Sequence, residues 1–313
     1  MVDRNQLLYP PGKVATDVDT APADAGIRLE RTVAVLERRG YAVSPARLGE
    51  VCVGGPLSED AVRDAIASGT DLGLRDGLVV SADLAGRAPR IARRAAGHAD
   101  NAGRCLPATL GFVRTLVRVC PFVLSVSIAG SLASGGYLAS DDVDLNLIVE
   151  DGRRHLAYVA INLLGLVHAL RHRRKPVDTH TMRPLAPRFM TANLILERCQ
   201  CFPLVRDDED MAYEFLASRP VYGFALWREV VATNRGLSEH FPQLEERRCP
   251  DALRDRPLLP RWLFPAVLDR PARMLGRAGW RYMQWTRRRR PEALARVAFV
   301  RRTMRPYALF DES

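Results

Sequence analysis

The chain has 313 residues, of which 47% are hydrophobic and 26% are charged, so its length and composition predict a globular protein with room for two or three domains. The formal net charge of +10 is typical of proteins that contact something anionic, such as nucleic acid, a nucleotide or a membrane surface. Of the 46 basic residues only Lys13 and Lys175 are lysines, and this preference for arginine is typical of a GC-rich bacterial genome. The charge by itself therefore does not decide among these partners.

Cysteine usage and the distribution of apolar residues predict a cytoplasmic protein without a membrane span. The six cysteines include no C-x-x-C pair, and a chain of this size does not need disulfides to fold. The first residues, MVDRNQLLYPPGK, lack the apolar core of a signal peptide. The longest apolar run, YVAINLLGLVHAL at 158–170, has the length of a buried helix and is shorter than a membrane span.

After an N-terminal extension at 1–25, the region 26–96 is predicted to form a winged-helix-like domain. The stretch GIRLERTVAVLERRG has apolar residues at helical spacing and gives its first helix. Ser44 and Ser58 are the predicted N-caps of two further helices, and Asp76-Gly77 between two apolar runs predicts a hairpin. Three short helices followed by a hairpin is the order of a winged helix-turn-helix.

The third of these helices is unusually acidic for a duplex DNA reader. Its basic residue is Arg63, whereas Glu59, Asp60 and Asp64 carry negative charge. A recognition helix has to approach phosphates and is normally basic. Insertion into the major groove stays open as one interpretation, but the charge pattern favours a module that packs within the protein or contacts another protein.

The region 97–200 is predicted to hold the mixed sheet of an α+β fold with flanking helices. The β-branched run PFVLSVSIAG predicts a strand that ends at Gly130. A loop of small residues, a strand in DVDLNLIVE, a helix over 152–172 and further strands in KPVDTHTM and RFMTANLILER follow in that order. The last region, 201–313, is predicted to be mainly helical.

The strand DVDLNLIVE carries two carboxylates in an otherwise apolar run. Side chains two residues apart in a strand point to the same face, so Asp142, Asp144 and Asn146 are expected to project together. Buried carboxylates are costly without a compensating cation or donor, and hard oxygen ligands at this spacing suit Mg²⁺ or Mn²⁺ beside substrate phosphates. The alternative is a structural role, in a cap or in a salt bridge with a nearby arginine.

A second candidate feature, Gly130-Ser131, lies at the end of the preceding strand and at the start of a predicted helix. Glycine permits close backbone approach, and amides at a helix N-terminus bind phosphate oxygens. The hydroxyl of Ser131 can add a hydrogen bond. Ten residues separate Ser131 from Asp142, so a nucleotide-binding segment and a metal site are expected to face one cleft.

Together these residues resemble the signature of the DNA polymerase β-like nucleotidyltransferase superfamily. That signature is an apolar residue, Gly, and Gly or Ser, then a spacer and Asp-apolar-Asp-apolar, and it is matched by Ala129, Gly130, Ser131 and Asp142–Leu145. The winged-helix-like segment and the stretches ANLILE, YEFLASRPVYG and WREVVATN also resemble a family of bacterial nucleotidyltransferase-domain proteins. The resemblance covers about 26–240.

The resemblance implies a fold, a reaction and a cofactor. A substrate hydroxyl or phosphate attacks the α-phosphate of an NTP such as ATP, and pyrophosphate leaves. Two Mg²⁺ or Mn²⁺ ions, about 3.5–4 Å apart, stabilise the attacking and leaving oxygens, with Asp142 and Asp144 as catalytic metal ligands. The acceptor is unidentified: a small molecule, a protein or nucleic acid. The alternative is a catalytically weak, nucleotide-sensing winged-helix regulator or scaffold.

Active members of the superfamily usually have a third carboxylate on a later strand. Asp178 in KPVDTHTM is the candidate for this catalytic residue. If RFMTANLILE is instead the corresponding strand, its inward polar residue is Asn193, a replacement that binds metal poorly. A missing third carboxylate favours nucleotide binding with little transfer.

Three further groups of residues are weaker candidates for binding. His168 and His172 are four apart on a helix, as zinc ligands are, but no third ligand is near in sequence. Cys199 and Cys201 are expected to be buried thiols. Aromatic residues alternate with arginines near the C-terminus, which is typical of single-strand binders and membrane-surface helices, although packing of arginine stems over rings is the favoured interpretation. These aromatic residues are Trp262, Trp280, Tyr282 and Trp285.

Overall fold

The computed structural model describes residues 22–170, 190–248 and 251–288, together with 294–295, 298, 307 and 309–310. These residues form an α+β structure in which helices surround a four-stranded mixed sheet, with a two-stranded hairpin near the N-terminal end. The predicted α+β class with a mixed sheet is confirmed at this level.

The α-helices are α1 Pro22–Arg38, α2 Pro45–Glu50, α3 Glu59–Ala67, α4 Ala82–Ala85, α5 Ala88–Ala96, α6 His98–Val119, α7 Gly130–Ser134, α8 Arg154–Leu170, α9 Glu209–Ala217, α10 Phe224–Thr233, α11 Arg235–His240, α12 Gln243–Glu246 and α13 Asp269–Arg287. The strands are β1 Leu72–Arg75, β2 Leu78–Ser81, β3 Val123–Ala129, β4 Val143–Val149, β5 Met190–Glu197 and β6 Arg219–Tyr222.

The N-terminal helices and hairpin occur in the predicted order because their local signals are strong. The hydroxyl of Ser44 accepts a hydrogen bond from the Arg47 amide at the start of α2, and Ser58 caps α3 in the same way. Between β1 and β2, Asp76 and Gly77 have φ angles of 51° and 76°. Two positive φ values in a two-residue loop are the requirement of a type I′ hairpin turn.

The four-stranded sheet has the order β5-β4-β3-β6. Strand β3 runs antiparallel to β4 and β6, whereas β4 and β5 are parallel. The strand predicted in RFMTANLILER is β5, and the strand predicted in KPVDTHTM lies outside the described residues.

Strand β6 lies in the region that the sequence predicts to be helical. It is four residues long and pairs with β3, for example Pro220 with Ser127. So short a segment carries little intrinsic strand signal. It is extended because the edge of β3 offers backbone hydrogen-bond partners that would otherwise need another donor or acceptor.

The two faces of the sheet pack on different layers of helices. On one face, Val143, Leu145 and Leu147 of β4 pack in a core that includes α6 and α8. On the other face, Ile148 of β4 and Leu194 of β5 pack in a core that includes α9 and α10. The alternating apolar residues of β4 therefore form its buried face, and the polar residues between them, Asp144 and Asn146, lie on the other face near the start of the strand.

The core on the second face joins distant parts of the chain. Leu29 of α1 and Val62 of α3 belong to the same cluster of buried residues as Tyr213 of α9 and Phe241 after α11. The N-terminal helices are thus packed with the helices that follow β5. The division into domains at 26–96, 97–200 and 201–313 stays a prediction.

A segment at 256–288, which we call the C-terminal arm, follows these helices. It contains two 3₁₀ turns, at Arg261–Leu263 and Ala266–Leu268, and then α13, which packs on α8. At the start of α13, the carboxylate of Asp269 accepts hydrogen bonds from Nδ1 of His155 and the amide of Leu156, at 2.7 and 2.8 Å. Across the described ranges, none of the helices combines the length and apolar character that a membrane crossing requires.

Candidate functional site

Three strand ends meet at the edge of the sheet where the motif residues lie. Strand β3 ends at Ala129, which is opposite Asp144 near the start of β4, and Asp144 is in turn opposite Thr191 near the start of β5. Because β3 is antiparallel to β4 and β4 is parallel to β5, the end of the first strand and the beginnings of the other two are side by side. This sheet edge brings together residues that are far apart in the sequence.

Gly130 lies directly against the carboxylate of Asp144. Its φ is +60°, and a Cβ placed on it would lie 2.1 Å from Oδ2 and 2.9 Å from Cγ of Asp144. A residue with a side chain would therefore combine a left-handed backbone with a direct clash. Two residues that the sequence assigns to one site are adjacent in space, and glycine is required for that approach.

The two aspartates of the motif have different environments. Asp144 is the second residue of β4, is half-buried, and accepts a 2.9 Å hydrogen bond from Oγ1 of Thr191. Asp142 is exposed and precedes the strand, which begins at Val143. Strand alternation therefore fixes the face of Asp144, whereas the direction of Asp142 depends on the loop.

The hydroxyl of Ser131 interacts with a third aspartate, Asp141, at 3.1 Å. Oδ2 of Asp141 also accepts hydrogen bonds from Nη2 of Arg94 in α5 and from the amide of Leu138. Arg94 donates in addition to the carbonyl oxygen of Gly136. The charge of Asp141 is thus compensated within the protein, and a phosphate bound by the Ser131 hydroxyl would have to replace this contact.

The loop between α7 and β4, which contains Tyr137, is attached to α6 by hydrogen bonds. Tyr137 is completely buried, and its amide donates a 3.1 Å hydrogen bond to Nδ1 of His98, which is 2% exposed. Its hydroxyl donates to the carbonyl oxygen of Asp141 at 3.4 Å. Burial of His98 lowers the pKa of its imidazole, because the protonated ring would be poorly solvated. A neutral His98 is also what the contact requires, since Nδ1 accepts the proton of the amide.

Asn193 belongs to a polar network one step further into the sheet. It is the extra residue of an irregularity in the β4–β5 pairing, and its amide donates to Asn146 at 3.0 Å and to Glu214 of α9 at 2.9 Å. The amide of Asn146 donates to the same Glu214 oxygen at 2.8 Å. Glu214 is a carboxylate on the polar face that the sequence interpretation did not include, because nothing in YEFLAS distinguishes it from a solvent-facing helix residue.

At the position where the family signature leads one to expect a third carboxylate, β5 offers Thr191 beside Asp144 and Asn193 beyond it. Neither side chain is acidic. The other candidate, Asp178, lies outside the described residues. At this edge of the sheet, β5 therefore adds no carboxylate to the two motif carboxylates of Asp142 and Asp144.

A small cavity lies behind the polar network, between the sheet and α9 and α10. Its volume is about 20 Å³, and Ser127, Asn146 and Trp227 are among the residues that line it. This volume holds about one water molecule. This cavity is therefore too small for a nucleotide.

A second group of acidic side chains lies at the opposite end of β4 and β5. Ligand atoms of Asp151, Glu197 and Cys199 are within 4.8 Å of one another. Asp151 accepts a hydrogen bond from the amide of Cys199, and Glu197 accepts one from the amide of Gly152. These contacts account for the group as a turn that is stabilised by its own backbone.

The prediction of two buried thiols is wrong for Cys199, which is exposed, and holds for Cys201. Cys199 lies in the 3₁₀ turn Arg198–Cys201 that follows β5, and this turn places the two residues on different sides. Burial raises the pKa of the Cys201 thiol to about 12. Such a thiol is inert at neutral pH.

The remaining candidates have packing roles or lie outside the described residues. His168 packs edge-on against Phe112, with ring centroids 5.7 Å apart, and His172 is not among the described residues. Trp280 packs near Phe310. Trp262 is 75% exposed, so the C-terminal aromatic residues are not uniformly buried.

Comparison of the chain with protein-family models, with curated proteins and with solved structures gives no match.

Proposed function

We propose that the sheet edge formed by Gly130, Asp142 and Asp144 binds a divalent cation and the triphosphate of an NTP, and transfers the NMP group to an acceptor with release of pyrophosphate. The observation that carries this proposal is the contact between the backbone of Gly130 and the carboxylate of Asp144. Gly130 has φ +60° and carries no side chain where the carboxylate of Asp144 lies, so the backbone at the start of α7 and this carboxylate are held next to each other. The sequence signature and this contact agree.

The side chains at the edge have the chemistry that Mg²⁺ or Mn²⁺ prefers. Both motif residues are carboxylates, one half-buried and one exposed, and Asp144 receives one hydroxyl donor from Thr191. Carboxylate oxygens with open solvent access are typical of Mg²⁺ sites that keep waters and share substrate phosphates. When bound, the cation would neutralise phosphate charge and stabilise the attacking and leaving oxygens.

The chain itself would contribute position and charge. Asp142 and Asp144 would hold the cation, and Gly130 would keep the backbone at the start of α7 close to the Asp144 carboxylate. Ser131 can exchange its hydrogen bond to Asp141 for one to a phosphate oxygen, because Arg94 and Leu138 continue to compensate Asp141. Preorganised groups of this kind lower the barrier mainly by orientation and electrostatic stabilisation.

A second function, nucleotide sensing with little transfer, is favoured by the residues beside Asp144. Thr191 and Asn193 stand where a third carboxylate would complete the catalytic metal site and accept a proton from the acceptor. A site with two carboxylates can still bind a Mg²⁺-nucleotide complex. Binding and transfer therefore have to be measured separately.

We also propose that α1–α3 and the β1–β2 hairpin form a winged-helix-like module that serves packing or protein contact in a cytoplasmic protein. Arg63, the basic residue of α3, forms an ion pair with Glu59 of the same helix. Its charge is thus directed to a helix neighbour rather than to a phosphate. The packing of α1 and α3 in a core with α9 supports a structural role for the module.

The test of the shared premise is calorimetry with each of the four NTPs, with and without Mg²⁺. Asp144→Asn and Asp142→Asn should each abolish Mg²⁺-dependent binding and leave the melting temperature unchanged or slightly raised. Asparagine keeps an oxygen that can accept from Thr191, and removing a carboxylate relieves like-charge repulsion. Asp151→Asn, at the other end of the sheet, is the matched control and should bind normally.

Transfer is tested by incubating the protein with labelled NTPs and a cell extract of candidate acceptors. Labelled product that disappears with Asp144→Asn supports the transferase. Metal-dependent binding without any labelled product selects the sensor, and absence of metal-dependent binding for all four NTPs contradicts both.

A further inference from the structure

The C-terminal arm exposes far more apolar surface than a solvent-facing segment needs. Trp262 and Met274 are each about three-quarters exposed, at 75% and 76%, and Val267, Tyr282 and Trp285 are each more than half exposed. Where exposed apolar side chains adjoin on one side of a helix, they mark a site of interaction with a protein or membrane. The proposed nucleotide site does not use any of these residues.

Helix α13 of the arm is fixed on α8 by one of its faces. Ala272 is buried, and a Cβ on Gly276 would meet Phe310 at 2.7 Å and Tyr158 at 3.1 Å. These two small residues are four apart and mark the inner face of the helix. On the other side of α13, Met274, Leu275 and Tyr282 are exposed.

That outer surface divides into two parallel stripes. Residues at spacings of three, four and seven lie on one side of a helix. The apolar stripe consists of Met274, Leu275, Ala278, Tyr282 and Trp285. The arginine stripe consists of the exposed residues Arg270, Arg273, Arg281 and Arg288, with the half-buried Arg277 between them.

The arm is rich in positive charge, although Arg261 forms an ion pair with Glu150 outside the arm, at 3.0 Å. Residues 256–288 contain eight arginines and one acidic residue, Asp269. The carboxylate of Asp269 is engaged by His155 and by the amide of Leu156. An anionic partner is the complement of this surface.

We propose that the C-terminal arm binds the surface of a bilayer that contains anionic phospholipids, with α13 lying in the plane of the interface. The arginine stripe would contact headgroup phosphates, which guanidinium groups bind through paired hydrogen bonds. The apolar stripe would enter the boundary between headgroups and acyl chains, where an amphipathic helix buries its apolar face. Tryptophan and tyrosine side chains favour this depth of the membrane.

Single-stranded nucleic acid fits the same charges less well. Met274 and Leu275 have no role in base stacking, whereas an acyl boundary accommodates them. The rings of Tyr282 and Trp285 already stack on each other, with centroids 6.0 Å apart, and Arg288 lies 4.8 Å from the Trp285 ring. The ring faces of Tyr282 and Trp285 are therefore partly covered and less available for stacking on bases. The exposed aliphatic side chains of Met274 and Leu275 therefore favour a lipid surface over single-stranded nucleic acid as the partner.

The test is co-sedimentation of the full-length protein with phosphatidylcholine vesicles, with and without phosphatidylglycerol. Binding should require phosphatidylglycerol and weaken with salt. The variant Arg270→Gln/Arg273→Gln should bind about 25-fold more weakly, because each arginine near an anionic surface contributes about fivefold. The variant Met274→Ser/Leu275→Ser/Trp285→Ser should lose binding, since only electrostatic attraction would remain.

Matched controls change exposed residues of the same types elsewhere. Arg90→Gln/Arg235→Gln removes two exposed arginines, and Leu74→Ser/Val205→Ser removes two exposed aliphatic side chains. Both should bind vesicles like the unaltered protein, and thermal melts of all variants identify any that fail to fold. Equal vesicle binding by the stripe variants and their controls would overturn the proposal. So would binding to a single-stranded oligonucleotide in the absence of vesicle binding, which would assign the surface to nucleic acid.

Discussion

At the scale of single residues, Gly130 has two separate reasons to be glycine. Its backbone is left-handed, which costs other residues about 1–2 kcal/mol. Its missing side chain also leaves room for the carboxylate of Asp144. The two effects can be separated, because Gly77 in the β1–β2 turn has a similar φ, +76°, with nothing within 4 Å of its Cβ position.

We predict that Gly130→Ala destabilises the protein more than Gly77→Ala does. The control should cost about 1–2 kcal/mol for backbone strain, and Gly130→Ala should cost about 1–3 kcal/mol more because of overpacking against Asp144. Urea unfolding of both variants measures the difference. Equal losses of stability would contradict the close contact between Gly130 and Asp144.

At the scale of elements, the loop that joins α7 to β4 depends on α5 and α6. Arg94 of α5 binds the loop at Gly136 and Asp141, and His98 of α6 accepts the amide proton of Tyr137. The motif residues Ser131 and Asp142 flank this loop in sequence. A change in the protonation of His98 should therefore affect the element that positions the motif.

We predict that acid destabilises the protein through His98. Burial lowers its folded-state pKa below the ordinary value of 6.5, so below about pH 6.5 the unfolded chain binds a proton that the folded chain does not. The free energy of unfolding should fall by about 1.4 kcal/mol per pH unit as the pH decreases from 6.5 towards the folded-state pKa, and should be unaffected by this group above 6.5. Urea unfolding between pH 5 and 8 measures it.

The matched variant is His98→Asn, whose side-chain oxygen can accept from Tyr137 but does not titrate. It should lose the His98 part of the pH dependence. The carboxylates of Asp210 and Asp269 do not contribute to the pH dependence of the free energy of unfolding between pH 5 and 8. Burial would raise their pKa values, but hydrogen bonds and charge from Arg39 and His155 outweigh it and lower them, so their contributions are lost only below about pH 3.8. An identical pH slope in the variant and the unaltered protein would contradict a neutral, buried His98.

At the scale of the whole molecule, the N-terminal helices are folded together with the helices that follow β5. Besides the shared core, ion pairs join α1 and the residue that follows it to α9, and the most buried is that of Arg39 with Asp210, at 2.7 Å. The guanidinium of Arg39 also lies over the ring of Tyr213. A contact of this extent makes the N-terminal helices part of the structure that supports the sheet.

We predict that the chain unfolds as one cooperative unit across this contact. Amides of α1, α3 and α9 should show the same free energy of opening in hydrogen exchange, because none of these helices can keep its apolar face buried alone. A truncated chain that begins at residue 97 should be unfolded or aggregated. A folded truncated chain, with its own sharp thermal transition, would show that the N-terminal module is independent.

The sequence by itself determined the features that depend on neighbouring residues. The caps at Ser44 and Ser58, the turn at Asp76-Gly77 and strand β3 before Gly130 follow from rules that act over about four residues. These rules also predicted β4 and β5. The resemblance then connected Gly130 with Asp144 and left the identity of a third carboxylate open. Strand alternation also put Asp142 on the face of Asp144, but the strand begins only at Val143.

Only the tertiary structure decided which side chains surround the motif. Thr191 meets Asp144 across 47 positions of sequence, Arg94 meets Asp141 across 47, and Glu214 meets Asn146 across 68. Strand β6 and the core shared by α1 and α9 are likewise products of distant pairing. The physical reason is that local conformation is set by a residue's own backbone preferences and near neighbours, whereas these contacts exist only once the strands are registered and the helices have buried their apolar faces together.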